Sequence, residues 1–266
     1  MKSIKSLFCS LIVVLVLVGC SNPVDSDSSI PKKEHAELAV LWQQHSGEYK
    51  ALSHQAFNLA ALRIMAFENT QDKPLAIITD VDETVLDNSP YSGMQIKEDQ
   101  DYTKETWVEW GKLQRAKPLP GSVKFFNLAD SLGIEIFYIS NRYNVQLGET
   151  VANLKAMNLP NADTSHVFLR TTSSEKQARR DRVLETHEVV LYMGDNLSDF
   201  SDVFDNQSTE SRNQLVEDMQ ASFGDKFIVF PNPMYGDWES KGIYENNRGW
   251  TNEQKDSIRF SKLVSF

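Results

Sequence analysis

Leu75-Ala76-Ile77-Ile78-Thr79-Asp80-Val81-Asp82-Glu83-Thr84 is the stretch that decides the fold. Its first four residues are a continuous apolar run, fit for a parallel strand buried on both faces, and the run stops where the acidic residues begin. Outward from it the same pattern recurs. Residues 134–139 predict a second strand, ending at Ser140-Asn141-Arg142. Residues 166–169 predict a third, and residues 189–193 a fourth that ends at Gly194-Asp195. Residues 226–230 predict a fifth, followed by Pro231-Asn232-Pro233. Helical spacing fills the intervals at 120–132, 146–157 and 175–185. Strands that alternate with helices specify an α/β fold, a Rossmann-like parallel sheet with right-handed crossovers. Asp80, Ser140 and Asp195 each follow the last apolar residue of a predicted strand. In open parallel sheets that edge is where ligands bind.

Residues 34–69 carry a long helical pattern, read as two helices. Leu38, Leu41, Trp42, His45, Tyr49, Leu52, Phe57, Ala61, Ile64 and Met65 form its apolar stripe, which is assigned to the core. Residues 88–119 break the alternation after the first strand and are read as a small, mostly helical cap holding Trp107 and Trp110.

The first 19 residues read as a signal peptide. Lys2 and Lys5 give a positive start, and the apolar run at 7–18 is short for a membrane span. Leu17-Val18-Gly19-Cys20 resembles a bacterial lipobox, which makes Cys20 the lipidation site. Cys9, the only other cysteine, lies inside the removed segment. No thiol is then left for a disulfide, so the exported domain is held by core packing. Residues 20–33, rich in serine, read as a lipidated tether, and 34–266 as the catalytic domain. Ser21 follows the cysteine where an Asp would argue for inner-membrane retention, so the expected location is the cell envelope, at the outer membrane.

Formal charge is −10, and it becomes more negative when Lys2 and Lys5 leave with the leader. That balance argues against a nucleic-acid polymer as partner, whose phosphates require a basic face. A small phosphate ester bound at a metal is not excluded, because the cation reverses the local field. The oligomeric state is left open, a homodimer included.

Asp80 and Asp82 stand two residues apart beyond a strand. Two such carboxylates resist joint ionisation unless a cation or a proton sits between them. They suit phosphoryl transfer, in which one carboxylate attacks phosphorus and the other moves the proton. Taken alone, such a triplet is more often a solvated turn. Gly194-Asp195-Asn196-Leu197-Ser198-Asp199-Phe200 supplies a second acidic pair. Oxygen ligands with no cysteine suit Mg²⁺. Ser140 is a hydroxyl donor for a phosphate oxygen or a helix cap. Lys176, beside Arg179, Arg180 and Arg182, is set on a predicted helix.

The ordered set Asp-x-Asp-x-Thr, Ser, Lys and Gly-Asp-x-x-x-Asp resembles the haloacid dehalogenase (HAD) superfamily. Asp80-Val81-Asp82-Glu83-Thr84-Val85-Leu86-Asp87-Asn88-Ser89-Pro90-Tyr91 and the segment from Gly194 to Phe200 are similar to the class C acid phosphatases, the e(P4)-type outer-membrane lipoproteins. Thr79 and Tyr192 stand where that family usually carries small or aliphatic residues. The resemblance implies a Mg-dependent acid phosphatase working on phosphomonoesters, nucleoside 5′-monophosphates among them, through an aspartyl phosphate. It implies Asp80 as nucleophile and metal ligand, and Asp82 as general acid and base that also binds metal through its backbone carbonyl. Asp195 becomes a direct metal ligand, and Asp199 holds a metal-bound water or the lysine. Ser140, Asn141 and Lys176 contact phosphate oxygens, and Trp107 and Tyr235 clamp a nucleobase. Filling the core of the cap is the plainer use of such rings. Two other functions stay open on sequence grounds. One is a phosphotransferase with the same intermediate; the other is a surface lipoprotein that binds a ligand without turnover.

Overall fold

In a computed structural model the described residues are 31–69 and 73–266. The signal peptide, Cys20 and nearly all of the tether therefore lie outside them. Among the described residues no helix is long and apolar enough to cross a membrane.

In chain order the strands are β1 (Leu75–Thr79), β2 (Leu86–Asp87), β3 (Lys117–Pro118), β4 (Glu135–Tyr143), β5 (Val167–Arg170), β6 (Glu188–Gly194) and β7 (Phe227–Val229). Five of them form one parallel sheet in the order β5-β4-β1-β6-β7. β1 is the middle strand, so its apolar run is buried on both faces, as a central parallel strand requires. The chain first builds outward from β1 through β4 to β5. It then returns to the other side of β1 with β6. That reversal opens a crevice at the carboxyl end of β1, where polar side chains can converge.

The helices are α1 (Glu37–His45), α2 (Gly47–Ala66), α3 (Ser89–Lys97), α4 (Lys104–Lys112), α5 (Ser122–Ser131), α6 (Leu147–Ala156), α7 (Gln177–Leu184), α8 (Thr209–Asp218) and α9 (Asn252–Ser261). One face of the sheet packs on α2, α5 and α6, where Phe57, Phe126, Tyr138, Leu154 and Phe230 are buried together. The other face packs Ile78, Phe137, Tyr192 and Phe227 against Val183 of α7 and Phe200. Between β1 and α5 the chain makes α3 and α4. The antiparallel pair of β2 with β3 closes the base of this insertion.

The apolar stripe read for residues 34–69 needs correction. Tyr49, Phe57 and Ile64 are buried, but Leu38, Leu41, Leu52 and Met65 are exposed, and so is His45. The packed face is instead Val40, Gln43, Tyr49, Ser53, Phe57, Ala60 and Ile64. Polar contacts select it: Ser53 Oγ donates to the Pro120 carbonyl at 2.9 Å, and Gln43 Nε2 to Asp87 at 2.8 Å. Hydrophobicity alone does not register such positions.

Two further boundaries move. β4 runs on through Ser140-Asn141-Arg142 to Tyr143, so Ser140 lies inside a strand, where pairing with β5 turns irregular. Lys176 is the residue before α7 rather than on it. The two residues that depart from the resembled family both fit. Thr79 Oγ1 donates to the Asp80 carbonyl at 2.8 Å. Tyr192 lies edge-on to Phe227, with ring centres 5.9 Å apart.

Candidate active site

Asp80 is the first residue past β1, and its amide donates to the Met193 carbonyl of β6 at 2.8 Å. The chain then turns back at once. Val85 and Leu86 amides both bond the Val81 carbonyl, and Glu83 adopts a left-handed conformation with φ 60°. This tight turn separates the work of the two aspartates. The Asp80 carboxylate points at the end of the sheet and meets Lys176 Nζ. The Asp82 carboxylate turns toward the insertion. There it accepts from Asn88 Nδ2 at 2.8 Å, Arg142 Nε at 2.9 Å and Ser140 Oγ at 3.1 Å.

β6 delivers the second acidic pair. Asp195 Oδ2 accepts from Asn232 Nδ2 at 2.8 Å, just beyond β7. Asp199 folds back over Gly194 and accepts from the Asn196 amide at 3.0 Å. A Cβ at residue 194 would lie 2.4 Å from Asp199 Oδ2, so only glycine lets the carboxylate reach this position. Arg180, buried on α7, fixes the same loop by donating to the carbonyls of Ser198 and Asp199 at 2.8 and 3.1 Å. Lys176 Nζ, 2.7 Å from Asp199 Oδ1, thus bridges Asp80 and Asp199.

Oxygens of Asp80, Asp195 and Asp199 gather within 4.8 Å of one another. Burial is the main reason that the Asp80 carboxyl is pushed up to about 7. Lys176 opposes the shift, while Asp199 and Asp82 add to it. Burial, then Asp199 and Asp80, raise Asp195 well above the usual carboxylate range. Burial alone would lower Lys176, but Asp199 and Asp80 outweigh it and hold the ammonium above its ordinary value. One lysine among three carboxylates, two of them buried and Asp195 partly so, leaves negative charge uncompensated. A hard divalent cation fits that deficit and that all-oxygen donor set.

The remaining candidates are distributed less simply. Ser140 is fully buried, and its Oγ is occupied between Asp82 and the Arg142 amide, which donates at 3.0 Å. Asn141 Oδ1 accepts from Arg179 Nη2 at 2.7 Å, and the residue lines a cavity of about 640 Å³. Trp107 and Tyr235 both line that cavity, as do Asp80, Asp82, Lys176 and Asp195. Trp107 packs edge-on against Tyr91 at 5.0 Å and lies near Tyr102 at 6.1 Å, so its ring also serves the core of the insertion. Tyr235 donates its hydroxyl to Glu83, a fully buried carboxyl that also accepts from the Asn88 amide.

Sequence reasoning missed Arg142, Asn88, Arg179, Asn232 and Glu83. Arg142 had a legible signal, since it is the cation directly after Ser140-Asn141. Asn88 lies in the motif that follows Asp80, where its residue type alone gives it no role. Arg179 could not be told from its basic neighbours by charge alone.

The HAD superfamily, subfamily IIIB (acid phosphatase), matches residues 20–238. The chain belongs to this family. Among solved structures, the class C acid phosphatase from Bacillus anthracis is 43% identical, with a TM-score of 0.85. The match covers 89% of this chain and 100% of that one. A second structure of that phosphatase, with tungstate bound, superposes equally well. Plant relatives are more distant. Stem 31 kDa glycoprotein from Glycine max is 27% identical over 73% of this chain and 69% of its own length. Acid phosphatase 1 from Solanum lycopersicum is 29% identical over 59% of this chain and 57% of its own. As a HAD acid phosphatase of class C, the protein acts on small phosphomonoesters. A surface lipoprotein that binds without turnover is thereby set aside.

Proposed function

We propose that this class C acid phosphatase hydrolyses nucleoside 5′-monophosphates with Mg²⁺, through a phosphorylated Asp80. The observation that carries this reading is the division of labour between the two aspartates. Asp80 faces Lys176 and the acidic cluster, whereas Asp82 is turned toward the insertion and is held by Arg142, Asn88 and Ser140. An Asp80 oxygen bonds to phosphorus as the ester P–O bond breaks, and the departing oxygen takes the Asp82 proton. Asp82 then accepts a proton from water, the water oxygen bonds to phosphorus, and the Asp80–phosphorus bond breaks. Lys176 offsets charge on Asp80 and on the phosphoryl oxygens. Asp80 and Asp195 would hold the magnesium, with the Asp82 carbonyl completing the protein's share. Asp199 takes the lysine, the second of the two roles its motif allows. When bound, the cation neutralises phosphoryl charge and orients the ester. Tungstate in the Bacillus relative supports the oxyanion part of this reading, since tungstate has the shape and charge of phosphate.

Nucleotide preference rests on Trp107 and Tyr235 lining the same cavity as the nucleophile. Trp107→Ala or Tyr235→Ala is expected to lower kcat/KM for 5′-AMP by roughly tenfold or more, as loss of one stacking surface does. p-Nitrophenyl phosphate, with less to stack, should lose less. Equal losses on the two substrates would assign both rings to packing instead.

We also propose that Cys20 carries lipid and that the enzyme sits at the outer membrane, on the strength of the lipobox and Ser21. Cells fed labelled palmitate should label the wild-type protein and not Cys20→Ser. Label retained in the variant would refute the anchor.

A further inference from the structure

We propose that the active-site cavity takes a phosphomonoester bearing a second phosphate, which Arg170 and Arg248 bind. This rests on the phosphatase reading of the site and deepens it. The cavity of about 640 Å³ brings many charges together, and nearly all are accounted for. Lys176 holds Asp80 and Asp199, and Arg142 holds Asp82. Asp195 accepts from Asn232 and belongs to the cation cluster. Asp237 pairs with Lys241 at 3.0 Å, and Glu239 with His35 at 3.2 Å while also feeling Lys33. Arg170 and Arg248 remain. Both line the cavity, and neither is among the ion pairs or side-chain hydrogen bonds of the described residues.

Arg170 ends β5, and its guanidinium lies over the Tyr143 ring at 4.1 Å. Stacking of this kind fixes the plane of the guanidinium while leaving its N–H edge free for a planar or tetrahedral anion. The ester phosphate already has Lys176 and the acidic metal cluster. Two further guanidiniums exceed what a monophosphate requires, and arginine is the side chain best matched to phosphate oxygens. They also line a second chamber of about 490 Å³ beside the first, which gives room for a longer substrate.

The test compares two substrate pairs differing by one phosphate. The first is 5′-AMP against adenosine 3′,5′-bisphosphate, scored for 5′-phosphate release. The second is fructose 6-phosphate against fructose 1,6-bisphosphate. Wild type should favour the bisphosphate in both pairs by roughly tenfold or more in kcat/KM. Arg170→Gln and Arg248→Gln should each pull that ratio toward one. A wild-type ratio near one in both pairs would overturn the proposal. So would a ratio that neither substitution changes. Equal slowing of the mono- and bisphosphate by both substitutions would tie the arginines to the ester phosphate or to packing, which also counts against it. Should 5′-AMP prove no better than p-nitrophenyl phosphate while both bisphosphates keep their advantage, the nucleobase reading falls and the second phosphate site stands.

Discussion

Asp80→Asn is expected to lower kcat by roughly 10⁴-fold or more while the protein stays folded. The amide fills the same space but carries no lone pair basic enough to attack phosphorus. Stability should survive because the substitution does not strand its partner. Lys176 keeps Asp199 at 2.7 Å, so no buried cation is left without a counter-charge. The change also removes one member of a crowded buried group whose carboxyl is already pushed up to about 7. Steady-state rates together with a thermal melt check both halves. A variant that retains near-normal turnover would exclude Asp80 as the nucleophile. A variant that fails to fold would mean that Asp80 anchors the loop after β1.

Removal of divalent cations is expected to abolish activity, and added Mg²⁺ to restore it. Asp195→Ala should remain inactive at Mg²⁺ concentrations that saturate wild type. The reason lies in the charge balance of the cluster. Asp80, Asp195 and Asp199 crowd within 4.8 Å, and Lys176 is the one cation joined to them by an ion pair among the described residues. Substrate phosphate adds negative charge to this buried group, which without a cation would oppose binding. Because the ion binds the folded state, Mg²⁺ should also raise the melting temperature of wild type. Asp195→Ala should lose most of that shift. Full activity after exhaustive chelation would exclude a metal-dependent reaction at this site.

The sheet was legible because its strands are short, continuous apolar runs, and such runs have few other uses in a chain of this size. The acidic cluster was legible for a related reason. Asp80 and Asp195 abut β1 and β6, which are neighbours in the sheet, so sequence position translates directly into place. The rest depended on contacts between distant segments. Arg142 acquires its meaning from Asp82, sixty residues away in the chain. Asn232 acquires its meaning from Asp195, and Glu83 from Tyr235. α1 and α2 show the same limit from the other side. Leu38 and Met65 fit an apolar stripe and are exposed, whereas Gln43 and Ser53 break it and are buried. Trp107 reads as one half of a base clamp or as part of the cap's core; it lines the cavity and packs on Tyr91 and Tyr102, partners that nothing local in the sequence ties to it.

The central claim is that phosphate passes through Asp80. Asp82→Asn offers the most direct view of it, because p-nitrophenolate leaves without needing a proton while hydrolysis of the aspartyl phosphate needs Asp82 as base. Mixed with p-nitrophenyl phosphate and Mg²⁺ and quenched in acid, this variant should release about one equivalent of p-nitrophenolate per enzyme in a burst. Mass spectrometry of its peptides should then find a single phosphoryl group on Asp80. A phosphoryl group on any other residue, or a burst of equal size in Asp80→Asn, would contradict the account.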